Sequence, residues 1–193
     1  MHLRPFRMIP CVVAAAVGCA APAAERPAPA EGPPEVLLRD DFDGENGERP
    51  VLMFDRFAHW TVVGGTVDLV GHGSDWDFQP GHGLYVDLDG DRPDGYTFRP
   101  GKLVSRRAFD LRPGMYRLSF RLAGSQRGDA NRVAVQLGSV YREVFTLPSD
   151  APFFEYHREF PVRRGQQAHL ALDNEGADGF GALLDDVALV RLR

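Results

Sequence analysis

The sequence predicts an all-β fold, an antiparallel β-sandwich of the jelly-roll kind, for residues 36–193. Three observations carry this expectation. Apolar residues recur with period two from Val36 onward, the alternation of strands with one buried and one wet face. Turn signals separate the alternating runs: Gly64-Gly65, Asp89-Gly90, Arg112-Pro113-Gly114, Gly124, Arg127-Gly128-Asp129, Arg164-Gly165 and Asn174-Glu175-Gly176. No segment beyond the first twenty residues holds a helical apolar period for three turns.

Taken in order, the chain opens with Arg4 and Arg7, a short apolar run from Ile9 to Val17, and then Ala16-Val17-Gly18-Cys19. A charged start, a short apolar centre and small residues before a cut site make residues 1–18 a secretory signal. The run falls short of the roughly 20 apolar residues that span a bilayer. The last four residues resemble a lipobox, with Ala16 where Leu is usual, so Cys19 is the expected lipidation site. Ordinary cleavage after Ala21 or Ala24, leaving no lipid, is the alternative. Residues 19–35, rich in Pro and Ala, form a semi-extended linker because they hold too little apolar area to fold. Ala20 beside Cys19 is not the acidic residue associated with inner-membrane retention, which points to the outer membrane or cell surface.

Residues 36–193 then read as one domain of ten to twelve short strands. Tyr116, Leu118, Phe120 and Leu122 alternate with Arg117, Ser119 and Arg121. Val133, Val135 and Leu137 alternate with Ala134 and Gln136, and Leu170 and Leu172 with His169, Ala171 and Asp173.

Composition narrows the function. The formal net charge is −5; without residues 1–18, 20 basic residues face 27 acidic ones, a net −7. Such a balance disfavours a sequence-independent nucleic-acid binder, which needs basic surface to displace phosphate counterions. The two cysteines, Cys11 and Cys19, both precede the domain, so the domain has no disulfide, thiolate metal site or cysteine nucleophile.

Three stretches carry a family resemblance: FAHWTVVGGTVDLV at residues 57–70, continuing to GHGLYVDLDG at 81–90; FDLRPGMYRLSFRLAGSQRG at 109–128; and GALLDDVALVRL at 181–192. Together they resemble the galactose-binding-like jelly rolls of bacterial secreted proteins, a superfamily that includes many carbohydrate-binding modules. The likeness is greatest to extracellular proteins that end in a PEP-CTERM sorting tag. This sequence ends at Arg193 without such a tag, and an N-terminal lipid would replace it. The resemblance implies an early strand beside the last one, with a structural calcium near both. The acids that would hold it are Asp41 and Asp43 in Asp40-Asp41-Phe42-Asp43, and Asp185 in the last strand. Strict alternation places Asp185 on the inward face with Val187 and Leu189. A buried carboxylate needs a partner; calcium would provide one, and so would backbone N–H groups or an arginine.

Other constellations are weaker. Asp87-Leu88-Asp89-Gly90-Asp91 begins like an EF-hand, but Arg92 and Phe98 stand where that loop needs Gly and Glu; it reads as a polar turn. His59, His72 and His82, near Asp68, Asp75 and Asp77, lack zinc-site spacing and read as loop histidines. No GxSxG elbow or phosphate-binding glycine loop occurs. Trp76 lies in the polar loop 73–80 with Asp75, Asp77 and Gln79, the group expected to bind a sugar through ring stacking and hydrogen bonds. A Trp76 packed down on the sandwich edge is the other reading. Trp60 and Tyr85 belong to strands and to the core, whereas Arg127, Asn131 and Tyr141 could line a face. The first expectation for function is therefore a non-catalytic extracytoplasmic module that binds carbohydrate. A structural or adhesive envelope domain with a protein partner comes second, and a hydrolase third.

Overall fold

The computed structural model describes residues 33–90, 99–128, 130–176 and 178–192. The expected signal, Cys19 and nearly all of the linker lie outside the described residues, as do Asp91, Arg92 and Phe98. Thirteen strands follow in chain order: β1 (Glu35–Asp40), β2 (Trp60–Gly64), β3 (Asp68–Gly71), β4 (Leu84–Asp87), β5 (Gly101–Ser105), β6 (Phe109–Leu111), β7 (Gly114–Ala123), β8 (Asn131–Leu137), β9 (Tyr141–Leu147), β10 (Phe154–Val162), β11 (Gln166–Ala168), β12 (Leu170–Asn174) and β13 (Leu183–Arg191). The described residues contain no α-helix, only a 3-10 turn at Glu45–Gly47.

The strands form an antiparallel β-sandwich, as the alternation predicted. One sheet has the order β10-β7-β13-β4-β3, with β1 also lying along β13; the other has the order β2-β5-β12-β8-β9, and β6 and β11 pair separately. The first and last strands are neighbours, paired from Glu35↔Arg191 to Asp40↔Val187 with a register shift between Val36 and Leu38. Between the sheets, Tyr116, Leu118, Phe120 and Leu122 of β7 meet Val133, Val135 and Leu137 of β8 and Leu170 and Leu172 of β12, all fully buried. Trp60 is in this core, and its indole N–H donates to Asp40 Oδ2 at 2.7 Å.

Two departures from simple alternation shape the functional surface. On β3 and β4 every residue is buried, not every second one. Leu84 and Val86 enter the main core, whereas Tyr85 and Val70 join a smaller cluster with Ala123 and Leu183 on the opposite side of the sheet. The second departure corrects the expected direction of Asp185. Its register partner is Arg121 while Leu184 pairs with Leu122, and the ladder slips between Asp185 and Ala188. Asp186 has φ +51°, and Leu184 and Val187 both enter the main core. The bulge inserts one residue, so Asp185 lies on the outer face of the sheet, opposite to Val187 and Leu189. It is nonetheless only 3% exposed.

Candidate functional site

A concave site opens where the outer face of the first sheet meets three loops. Its floor comes from the β3–β4 pair, whose register sets Asp68 opposite Asp87. Asp87 is 1% exposed. Its Oδ1 accepts the Asp89 N–H at 3.1 Å and its Oδ2 takes a short contact from the Arg127 guanidinium. Asp68 Oδ1 accepts the Met53 N–H at 2.7 Å.

The 72–83 loop folds back over this face to make one wall. Tyr85, pointing outward from β4, anchors it: its hydroxyl accepts the Gln79 N–H at 2.9 Å and donates to Asp77 Oδ1 at 3.2 Å. Ser74 steadies the entry, its hydroxyl donating to the Gly71 carbonyl at 2.8 Å and accepting the Trp76 N–H at 3.2 Å. Trp76 is thereby presented 43% exposed, with Phe78 beside it. The opposite wall is the turn before β13. Asp89 Oδ2 accepts the N–H groups of Asp178 and Gly179 at 2.9 and 3.0 Å, and the Asn131 amide donates to the Phe180 carbonyl. Gly181 passes this point because a Cβ would collide with the Asp89 nitrogen and the Asp87 carboxylate.

Arg127 spans the two walls. Its guanidinium lies 4.7 Å from the Phe78 ring centre and 5.1 Å from that of Phe180, and its Nε donates to the Ser125 carbonyl at 3.2 Å. Cation–π attraction to both rings and the charge-assisted bond to Asp87 fix it in place. The enclosed volume is about 220 Å³, completed by Leu52 and Val70. Burial raises the Asp87 pKa to about 7, against the opposing pull of Arg127. Burial also raises Asp89, opposed by the N–H groups of Gly179 and Asp178.

Among the four residues predicted to bind a sugar, Trp76 lines this pocket. Asp77 is engaged by the Tyr85 hydroxyl, Gln79 contributes its backbone N–H to the same hydroxyl, and Asp75 is exposed at the loop tip. The sequence reading did not assemble Asp68, Asp87, Phe78 and Phe180. Arg127 appeared there only as one of several residues that could line a face. The available signal was the strand alternation itself, which puts Asp87 and Tyr85 on the face away from Val86.

A second cluster brings together the three acids expected to bind calcium. Asp41, Asp43 and Asp185 line one cavity of about 240 Å³ with His82, Arg121 and Asp186. Asp43 Oδ1 accepts the Leu84 N–H at 2.7 Å, and Gly83, at φ +68°, passes so close that a Cβ would meet that carboxylate. Asp185 Oδ1 accepts the Asp186 N–H at 2.7 Å, while Arg121 is drawn to Asp186 at 3.0 Å. Burial, then the negative charges of Asp186 and Asp43, raise the Asp185 pKa to about 8. The donor set, carboxylate oxygens around a buried acid whose neighbour Arg121 is drawn to Asp186, fits calcium in kind. Among the described residues, no three His, Cys, Asp or Glu side chains already converge on one metal position. His82 packs against Phe153 at 4.8 Å, His72 borders a neighbouring hollow with Glu48, and His59 is exposed.

No protein-family profile and no curated protein matches the chain. Among solved structures it is similar to the K3 cleaved adhesin domain of Lys-gingipain from Porphyromonas gingivalis w83, at 17% identity, 80% coverage of this chain, 98% of that one and a TM-score of 0.49. It is also similar to the CBM22-1–GH10 modules of Clostridium thermocellum xylanase 10B, at 15% identity, 81% and 28% coverage and a TM-score of 0.48. A third likeness is to the Podospora anserina GH26-CBM35 β-(1,4)-mannanase, at 21% identity, 72% and 27% coverage and a TM-score of 0.41. The chain therefore spans little more than a quarter of the xylanase and mannanase structures. At such identities and scores these likenesses lend nothing to the choice of ligand.

Proposed function

We propose that the domain is a non-catalytic carbohydrate-binding module and that the Trp76–Arg127 pocket is its site. The observation that carries this reading is the Asp87–Arg127 pair set among Trp76, Phe78 and Phe180. Sugar rings present an apolar face that stacks on an indole, and neighbouring hydroxyls that each donate and accept. Fixed carboxylate acceptors beside a fixed guanidinium match such a pair of hydroxyls, and a largely pre-formed, aromatic-lined concavity limits the entropy of binding.

The test is a glycan array probed with the domain, residues 33–193, beside Trp76→Ala. Selective binding that the variant loses supports the reading. A blank array from folded protein removes it and leaves the adhesive, protein-binding alternative. Calcium held by Asp41, Asp43 and Asp185 would serve stability by tying the start of the domain to its last strand. Cys19 would carry the lipid that anchors the protein to the outer membrane or cell surface, the stable regime for a multiply acylated terminus. Full-length protein should then partition into detergent and Cys19→Ser should not; a wild type recovered in the aqueous phase rejects the anchor.

A further inference from the structure

We infer that the arginine-rich end at which the chain enters the sandwich docks onto an anionic lipid bilayer and holds the Trp76 pocket away from it. This surface is separate from the pocket and does not depend on what the pocket binds. The Cys19 anchor proposed above enters only as the source of proximity.

The topology gathers the arginines. β1 begins at Glu35, opposite Arg191, and Arg191 is in turn opposite Tyr116 near the start of β7. On the other side of β7, Gly114 faces Val162, the last residue of β10. The turns that carry Arg112 and Arg163-Arg164 therefore leave this same end of the sheet. They lie against each other: a Cβ on Gly165 would stand 3.9 Å from Pro113 Cδ. The Arg191 guanidinium donates to the Pro113 carbonyl at 2.8 Å, and Arg107 donates to the Leu37 carbonyl of β1 at 2.6 Å. Arg107, Arg112, Arg163 and Arg164 are exposed. Two acids approach these arginines, Glu35 at 3.9 Å from Arg191 and Asp110 at 3.9 Å from Arg112. This end is thus cationic on a chain whose net charge is negative.

Guanidinium groups bond phosphate oxygens in a fork geometry, and an anionic bilayer draws a basic patch to its surface. Two further observations favour a bilayer over a soluble polyanion. Val36 and Met115, at the same end, are 55% and 38% exposed, and such apolar side chains beside arginines suit the boundary between headgroups and acyl chains. The second is the tether. Residues 20–34 join Cys19 to this end and reach at most about 50 Å when fully extended. A lipid on Cys19 makes the arginine contact intramolecular, which raises its effective concentration. The pocket lies at the other end: the ten residues of β7, roughly 30 Å, separate the Arg112 turn from the loop that carries Arg127. A bilayer against the arginines leaves Trp76 facing outward.

Co-sedimentation with phosphatidylcholine vesicles, made with and without phosphatidylglycerol, tests the contact. The protein is residues 20–193, which keep the whole sandwich and lack the signal and Cys19. Binding should require phosphatidylglycerol and weaken with added salt. Arg163→Gln/Arg164→Gln should bind at least about ten-fold more weakly, since one arginine near an anionic surface contributes roughly five-fold. Arg99→Gln/Arg132→Gln removes the same charge at the pocket end and should change binding by less than about two-fold, because screening confines the attraction to nearby charges. Circular dichroism melts establish that each variant is folded. Trp76 emission should not move when vesicles are added, against the constant background of the fully buried Trp60. Equal losses in the two double variants, equal binding to vesicles without phosphatidylglycerol, or no binding at all overturns the docking surface. A blue shift of Trp76 emission places the pocket on the bilayer and overturns the orientation. All of these outcomes leave the carbohydrate reading to the glycan array.

Discussion

Replacing either member of the Asp87–Arg127 pair should change how stability depends on pH, and the size of the change follows from one carboxylate. Asp87 is buried, and its pKa rises from an ordinary 3.8 to about 7. A folded-state value above the unfolded one means that the stability this group contributes is fully present below pH 3.8 and is lost as pH rises through about 7. Between pH 5.5 and pH 8.5 the linkage amounts to about 2 kcal/mol. Other buried acids slope the same way, so the quantity to measure is the difference between wild type and Asp87→Asn. Urea unfolding at pH 5.5, 7.0 and 8.5 should show that difference shifting by about 2 kcal/mol against the wild type as the carboxylate ionises. Arg127→Ala should cost about 3 kcal/mol or more at pH 8.5, where it strands a buried charge, and visibly less at pH 5.5, where Asp87 takes up a proton. A difference between wild type and Asp87→Asn that stays flat across this range, or an Arg127→Ala loss of equal size at both extremes, would refute the reasoning.

Asp185 offers a second pH test, and the metal enters it. Its pKa of about 8 predicts that Asp185 contributes roughly 3 kcal/mol of the stability that chelator-treated protein loses between pH 5.5 and pH 8.5. Calcium should reduce that share of the slope by holding the ionised form, and Asp185→Ala should remove both that share and the calcium response; identical slopes with calcium and with chelator exclude the site. Trp60→Phe should cost about 1–3 kcal/mol beyond the smaller ring, because Asp40 Oδ2 loses the indole N–H in the core. Unfolding by denaturant measures it, and a loss below 1 kcal/mol would mean that water reaches that carboxylate.

The sequence by itself determined the sandwich. Period-two alternation in residues 116–122, 133–137 and 169–173 needs no partner to be legible, because a half-buried strand writes its two faces into successive residues. It also showed that Trp60 is core and that Trp76 sits in a polar loop, whereas the meeting of Asp41, Asp43 and Asp185 was expected only from the family resemblance. Only the tertiary structure decided where Asp185 points: a bulge at Asp186 adds one residue to β13, and one residue reverses the face of whatever precedes it. The pocket was hidden for a related reason. Asp68, Asp87, Arg127 and Phe180 come from four separate parts of the chain, and no local pattern records that the 72–83 loop folds back over β4. That fold-back hangs on the Tyr85 hydroxyl meeting Gln79 and Asp77, contacts that exist only once strand and loop are packed. Spacing encodes which residues share a strand face; assembly alone sets which loops meet above it, because those contacts join segments far apart in the chain.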